Sequence, residues 1–341
     1  MMKIKKIFSI IIITMLCLGK INSQTSTPTD LSLPFPFSRI VDKEYEALNS
    51  IQSTQVINNG VTTTYTAGNA IVLKPGFHAK AGSEFTAKIE DISNRIIIIT
   101  TNVNRRRYVR QSQMILEANA DVVAIQEIGG RRKFNTLRNE TGFEGEMCAT
   151  VDIDFYKYGI ALLWKPELGT PEITKKLRLS SSQDKDFARA YIIAVFDDFC
   201  MVATHYSLAE NDRKSMTQAI LNEPVIIECQ NSNKPVYIAG DLNEQPFSTT
   251  GGLQIFRDAG FQILNNMERT DEYQTKDPNK NEKQYEHATR ESGGMPDLIL
   301  EYNTNPNRAV IDNNIPFCVD REEWLNTVSD HCPYRVRVKL K

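Results

Sequence analysis

The sequence predicts a layered α/β sandwich preceded by a small all-β segment, and three observations lead there. From about residue 95 onward, short apolar runs recur and each stops at a polar residue; strands buried on both faces read this way. The strand candidates outnumber the helix candidates and several follow one another directly, which suggests two sheets packed together with helices outside. Before residue 95 the chain has another character. Threonines and valines alternate, and glycines stand at Gly60, Gly68, Gly76 and Gly82, the pattern of short strands joined by glycine turns.

Composition is compatible with such a fold and removes other classes. The chain has 341 residues, 41% hydrophobic, 24% charged and 9% aromatic, which is ordinary for a folded soluble protein. That excludes a wholly disordered chain, a collagen-like chain and a multi-span membrane protein. Lys+Arg 40 against Asp+Glu 42 gives a net charge of −2. The chain thus lacks the overall basicity that points to nucleic acid by itself, while a local basic patch on an acidic protein stays compatible with it.

Taken in order, Met1 to Lys6 is positively charged, Ile7 to Gly19 is apolar but short, and polar residues begin at Lys20. This is the pattern of a secretory signal peptide, assigned to residues 1–23. No second apolar run of about 18 residues follows, so no stable membrane insertion is expected after its removal. The protein is expected to be secreted, periplasmic or at the cell surface. Residues 24–38, rich in Ser, Thr and Pro, read as a linker. Residues 39–91 read as a small β-repeat module: Gly76-Phe77-His78-Ala79 returns loosely as Gly82-Ser83-Glu84-Phe85-Thr86-Ala87, as stacked β rungs would. His78 reads as a surface histidine there. The segment resembles the coathanger-like β modules of exported bacterial proteins, which implies a module able to bind an extracellular or cell-surface component.

Residues 95–341 read as the larger domain. Its expected strands are Ile96 to Val103, Asp121 to Glu127, Gly159 to Trp164, Arg189 to Phe196, Cys200 to His205, Pro235 to Gly240, Asp297 to Leu300 and Tyr334 to Leu340. Its expected helices are Arg106 to Ala118, Arg131 to Asn139, Asp212 to Glu228 and Gly251 to Ala259. Cys148, Cys200, Cys229, Cys318 and Cys332 contain no C-x-x-C pair, so a zinc cluster is unsupported. Export permits one or two disulfides and leaves at least one thiol free.

The polar residues at the strand ends carry the chemistry. Asn102 ends the first strand, Glu127 the second and His205 a later one. Gly240-Asp241-Leu242-Asn243 follows another, Asp297 opens a strand, and Ser329-Asp330-His331 precedes the last. Asn102, Glu127, Asp241, Asn243 and Asp330 are hard oxygen donors suited to Mg²⁺ or Mn²⁺, and Ca²⁺ fits the same donors. His205 and His331 are able to donate to phosphoryl oxygens or move protons near neutral pH, and Asp297 suits holding one imidazole in a single tautomer. Each residue alone has a plain structural reading: Asp297 a turn cap, Asp241-Leu242-Asn243 an Asx turn. Their recurrence at strand ends is what favours a site, since one rim of a sheet is where a rigid scaffold presents functional groups.

This ordered set resembles the endonuclease/exonuclease/phosphatase superfamily, deoxyribonuclease I among its members, from about Arg95 to Lys341. The resemblance implies a four-layered αββα sandwich and metal-dependent phosphoester hydrolysis. By it, Glu127 is the principal Mg²⁺ ligand with Asn102 and Asp330. Asp241 and Asn243 orient water and contact the phosphate, His205 and His331 bracket the phosphate, and Asp297 aligns His331. Asp186-Phe187-Ala188-Arg189 matches the segment carrying a phosphate-contacting arginine, against a surface strand charge as the plain reading of Arg189. Tyr158, a second phosphate-contact candidate, stands where deoxyribonuclease I carries a glutamate paired with the histidine equivalent to His205.

Substrate is read more broadly. Arg105-Arg106-Arg107 and Arg131-Arg132-Lys133 follow two of the site strands, either lining a rim that attracts a polyanion or forming solvated first turns of helices. The polar stretch Asn265 to Gly294 holds Lys276, Lys280, Lys283, His287 and Arg290 just before Asp297, and long loops beside a site set specificity. The reading is an exported nuclease acting on nucleic acid. The alternatives are a phosphatase or lipid phosphodiesterase of the same fold, or an inactive binding protein.

Overall fold

The computed structural model describes residues 30–33, 43–47, 49–90, 94–103, 109–153, 156–179, 189–266, 269–270, 284–285, 295–303, 310–314, 329 and 331–340. The signal-peptide assignment, Arg105 to Arg107, the basic residues between 276 and 290, Cys318 and Asp330 lie outside the described residues.

The N-terminal part is built from parallel strands: β1 (Asp30–Leu33), β2 (Lys43–Ala47), β3 (Ser50–Ser53), β4 (Val56–Ile57), β5 (Thr62–Ala67), β6 (Ala70–Leu73), β7 (His78–Ala79) and β8 (Glu84–Ile89). β1, lying in the stretch read as linker, starts a sheet ordered β1-β3-β6, beside β2-β5-β8 and β4-β7. Asp30 faces Ser50 and Ser50 faces Ala70, so each coil lays its strands on those of the coil before. Alternate residues point inward. Ile51, Ile57, Thr63, Tyr65 and Ala67 are buried while their neighbours reach solvent more. The buried Tyr65 hydroxyl bonds Ser53 at 2.7 Å and donates to Gln55 at 2.8 Å, which pairs its polar end inside an apolar interior. His78 is exposed.

The larger part continues in chain order with β9 (Arg95–Asn102), α1 (Val109–Glu117), β10 (Val122–Ile128), α2 (Gly130–Thr141), β11 (Glu144–Ile153), β12 (Tyr156–Trp164), β13 (Glu172–Leu179), β14 (Arg189–Val195) and β15 (Cys200–His205). It proceeds through α3 (Glu210–Leu221), α4 (Pro224–Asn231), β16 (Val236–Asp241), α5 (Gly251–Asp258), β17 (Gln262–Ile263), β18 (Arg269–Thr270), β19 (Gln284–Tyr285), β20 (Asp297–Tyr302), β21 (Val310–Asn314) and β22 (Tyr334–Lys339). One six-stranded sheet runs β11-β12-β10-β9-β22-β21 and the other β13-β14-β15-β16-β20-β17. β18 and β19 pair antiparallel within the polar 265–294 stretch.

Period-two alternation decides what each face of the first sheet meets. Ile96, Ile98, Val122, Ala124 and Leu162 share one core with Ile192, Val202, Ile238 and Leu298 of the second sheet. Ile99, Val123, Ile125 and Leu163 point the other way, onto Met114 and Ile115 of α1 and Phe134 and Leu137 of α2. Burying each such side chain contributes about 1.5–3 kcal/mol. Met216, Ile220, Ile226 and Phe256 of α3, α4 and α5 close the second sheet.

The helix expected over Asp212 to Glu228 is two helices. Pro224 has no N–H to continue the first, and it sits at the start of the second, where that donor is not needed. β11, β13 and β21 were not expected as strands, and all three lie at sheet edges. Cys148, Cys200 and Cys229 are buried and outside any disulfide, and Cys332 is disulfide-bonded. A hydrogen bond with the neighbouring Cys229, together with burial, holds the Cys200 thiol well above its usual range. No helix among the described residues is long and apolar enough to cross a membrane.

The two parts meet at a buried ion cluster. Glu46 of β2 accepts from Arg95 of β9 at 3.0 Å and from Arg337 of β22 at 2.8 Å, with the three side chains 6–9% exposed. The cluster lies at the start of β9, opposite to the end that carries Asn102.

Candidate active site

Strand direction explains why distant residues converge. β9 and β10 run parallel, with Asn102 opposite Gln126, so Asn102 and Glu127 reach the same rim. β15 and β16 also run parallel, and His205 faces Asp241. β20 runs against β16 and starts at that rim, with Asp297 opposite Asp241. β22 runs against β9, which puts His331, just before it, at the same end.

Asp241 is the hub. It is buried, and its Oδ2 accepts from Asn102 Nδ2 at 3.2 Å, a bond that crosses from one sheet to the other. The same oxygen lies 3.6 Å from His205 Nε2 and 3.8 Å from His331 Nε2. Its Oδ1 accepts the backbone N–H of Asn243 at 2.9 Å. Behind His331, Nδ1 donates to Asp297 Oδ2 at 2.7 Å, with both residues buried. Asp241, Asp297 and His331 each present an atom of metal-ligand type within 4.8 Å of the others. Since Asp297 and His331 bond each other, this cluster is arranged for holding a proton at Nδ1 and presenting Nε2 to the rim.

On the first sheet, Asn102 Nδ2 also donates to Glu127 Oε1 at 3.3 Å. Glu127 adopts the left-handed conformation at φ 56°, within a register shift of β10 against β12. Such a conformation is uncommon for a non-glycine residue and costs of order 1–3 kcal/mol. The bulge interrupts the ladder, which resumes with Ile128 opposite Gly159, and redirects the carboxylate. Gly130 follows at φ 83° and opens α2. Asn243 is left-handed as well, φ 48°, and its Nδ2 donates to the carbonyl of Tyr206 at 2.8 Å. Its amide therefore braces two adjoining loops.

Arg189 is buried at the start of β14, next to the residue that pairs with His205. It is not a surface strand charge. Arg131 and Arg132 are exposed and Lys133 half-buried in the first turn of α2, right after Glu127, so they are both helix-turn residues and rim residues. Asp330 and the side chain of Tyr158 lie outside the described residues.

Three residues support the site in roles the sequence reading did not assign: Ser329 was read only within the Ser329-Asp330-His331 motif, Asn265 only as the start of a polar stretch, and Glu244 not at all. Ser329 Oγ donates to the carbonyl of Asn102 at 2.6 Å and accepts from the N–H of His331 at 3.2 Å. Asn265 grips both ends of its β20 contact, donating to the carbonyl of Asp297 at 2.9 Å and accepting from Ile299 at 2.8 Å. The buried Glu244 accepts from the N–H groups of Gly252 and Leu253 at 3.0 and 3.2 Å, holding the start of α5 with a negative charge where a helix favours one. Only Ser329 and Glu244 had a local signal, since they adjoin the Asp330-His331 and Asp241-Leu242-Asn243 motifs.

The Endonuclease/Exonuclease/phosphatase family profile matches residues 99–331. No curated protein is similar enough in sequence to count as a relative. Among solved structures, the chain is similar to an endonuclease/exonuclease/phosphatase from Bacteroides vulgatus at 17% identity and a TM-score of 0.52, over 72% of this chain and 99% of that one. It is similar to another from Beutenbergia cavernae at 14% identity and 0.53, over 72% of each. A mannosyl-6-phosphatase from Bacteroides thetaiotaomicron gives 14% identity and 0.50, over 71% and 99%. At such identities the likeness is one of fold.

Proposed function

Because the chain belongs to the endonuclease/exonuclease/phosphatase family, we propose that it is an exported, divalent-metal-dependent phosphoesterase that hydrolyses nucleic-acid phosphodiesters. One observation carries the reading: Asp297 bonds Nδ1 of His331, and Nε2 of both His331 and His205 turns toward the buried Asp241. Attack of water on phosphorus needs a group to take its proton and donors where charge builds on the phosphoryl oxygens. In this reading Asp241 accepts the proton of the attacking water. His331 and His205 donate to the phosphoryl oxygens, Asp297 holds the His331 tautomer and stabilises its charged form, and Arg189 adds a guanidinium to the phosphate. Asn243 keeps Asp241 in place.

Two carboxylates, Glu127 and Asp241, converge on the single amide of Asn102. A donor set made of oxygen atoms fits Mg²⁺, Mn²⁺ or Ca²⁺. Asn102, Glu127 and Asp330 are the residues proposed to hold the ion. Such an ion, when bound, supplies positive charge against the phosphoryl oxygens. The two sheets with helices beyond each support a four-layered αββα sandwich. The parallel coils of residues 30–89 support the coathanger-like module, and the order of charges and apolar residues over 1–23 supports export.

The test is nicking of supercoiled plasmid by the chain from Thr25 with Mg²⁺, beside Asp241→Asn. Cleavage that requires both the ion and Asp241 is the expected result. A folded protein that leaves the plasmid intact moves the assignment to small phosphoesters, the class to which the substrate of the Bacteroides thetaiotaomicron mannosyl-6-phosphatase belongs.

A further inference from the structure

The stack of parallel coils ends with its interior open. β6, β7 and β8 form the last coil, and each stands at the edge of its sheet among the described residues. The coil beneath shows what a successor does to such strands. Ser53, Thr63 and Ala67 are buried, whereas the residues stacked on them face water: Leu73 is 44% exposed, Phe85 half-buried and Ile89 57% exposed. Partners in a parallel ladder point the same way, so these three are inward residues that solvent reaches from the end of the stack. Phe77 and Phe85 lie 4.9 Å apart, with their rings 6.3 and 5.0 Å from Tyr65, and Phe77 is half-buried too. Coils of this kind bury their apolar side only against a neighbour, so an end coil of apolar character calls for a cover.

The edge of β8 identifies that cover by its charges. Glu84 and Glu90 donate their backbone N–H groups to the carbonyls of Val61 and Ala67 at 3.0 and 2.9 Å. Backbone groups alternate in direction along a strand, so Phe85, Ala87 and Ile89 turn theirs to the open edge. Glu84, Thr86 and Lys88 follow Thr62, Thr64 and Thr66 on the outer face, and all three are exposed. Glu84 carries one long bond, from the Thr62 hydroxyl at 3.5 Å. Laid antiparallel on itself about a two-fold axis through Thr86, β8 sets Glu84 opposite Lys88 of the second copy and Phe85 opposite its Ala87. The Phe85–Ala87 pair is then the hydrogen-bonded one, and the charges fall in the pairs where side chains come closest. Lysines alone on an edge repel other strands; a glutamate and a lysine four positions apart admit the same strand run backwards. We propose that the open end is a dimer interface, in which a second copy seats its β8 antiparallel on β8 and the two exposed coil ends cover each other. Such an interface uses one patch twice and closes on itself. The Glu46 cluster that joins the sandwich belongs to β2, at the other edge of that sheet. Arg95 also takes Glu90, just past β8, at 2.9 Å, which fixes the end of the strand and leaves Glu84, Thr86 and Lys88 exposed.

Sedimentation equilibrium of the chain from Thr25, over a range of concentrations, is the test. The expected result is a monomer–dimer equilibrium. Glu84→Lys and Lys88→Glu each turn both attractive pairs of the dimer into repulsive ones, and each should raise its Kd about tenfold or more. The double variant Glu84→Lys/Lys88→Glu sets opposite charges against each other again and should return Kd close to its original value. Both positions are exposed, and far-UV circular dichroism checks that the variants keep their strands. A chain that stays monomeric at every concentration overturns the proposal; its open end would then be left for a different extracellular partner. A dimer that ignores both single changes, or one that the double variant does not recover, also overturns it. So does growth beyond the dimer, since pairing through β8 alone closes at two copies.

Discussion

At the scale of the residue, the consequence of the 2.7 Å contact between Asp297 and His331 is that the two act as one group. Asp297→Asn keeps the shape and loses the charge that fixes which ring nitrogen carries the proton. It is expected to lower kcat by about 10²–10⁴-fold with little change in KM. In a His331→Ala background the same change should cost less than about tenfold more, because groups that work together lose their effect together. Steady-state kinetics of the two single variants and the double variant measure this; independent, multiplying losses would show that Asp297 serves some other purpose. Asn102, Glu127, His205, Asp241, Asp297 and His331 were readable from the sequence because each one ends or begins an apolar run. The left-handed backbone of Glu127 was not. It results from a register shift against β12, and no local signal in Gln126-Glu127-Ile128 announces it. Asn265 was unreadable for a related reason: its partners Asp297 and Ile299 lie more than thirty positions along the chain.

At the scale of the element, the site depends on how closely β15 and β16 approach. A Cβ on Gly240 would fall 2.1 Å from the carbonyl oxygen of Thr204, which is backbone and has no rotamer to yield. Gly240→Ala must part the two strands beside His205 and Asp241. It is expected to cost about 3 kcal/mol, among the large values that core overpacking produces. For a chain of 341 residues that lowers Tm by about 4 °C, which differential scanning calorimetry would show; an unchanged Tm would mean that the strands do not pack as described. Central strands such as β9, β15 and β16 were legible because burial on both faces makes them continuous apolar runs. β11, β13 and β21 were not, since edge strands such as Glu172–Leu179, with its consecutive lysines, keep polar residues and carry no long apolar signature.

At the scale of the whole molecule, the Glu46 cluster joins the parallel coils to the sandwich. Glu46→Ala leaves Arg95 and Arg337 buried without that carboxylate, and removing one partner of a buried ion cluster costs about 3–5 kcal/mol. The cluster sits at the foot of β9, about 23 Å from Asn102 at 3.3 Å per strand residue. Stability in urea should therefore fall while kcat stays near wild type; a parallel loss of kcat would mean that the coils reach the site. The strand that receives this cluster has a further consequence, one of time. β22 lies between β9 and the edge strand β21 of the first sheet, and just before it Ser329 and His331 complete the rim, Ser329 at the Asn102 carbonyl and His331 beside Asp241. Every other described site residue has left the ribosome before that strand does. A nascent or truncated chain ending before Ser329 carries Asp241, Asp297 and His205, yet it lacks His331 and the strand that lies between β9 and β21. In the proposed reading, the site is therefore completed in a single late step, and an incomplete copy leaves untouched the phosphoesters around the place where it is made.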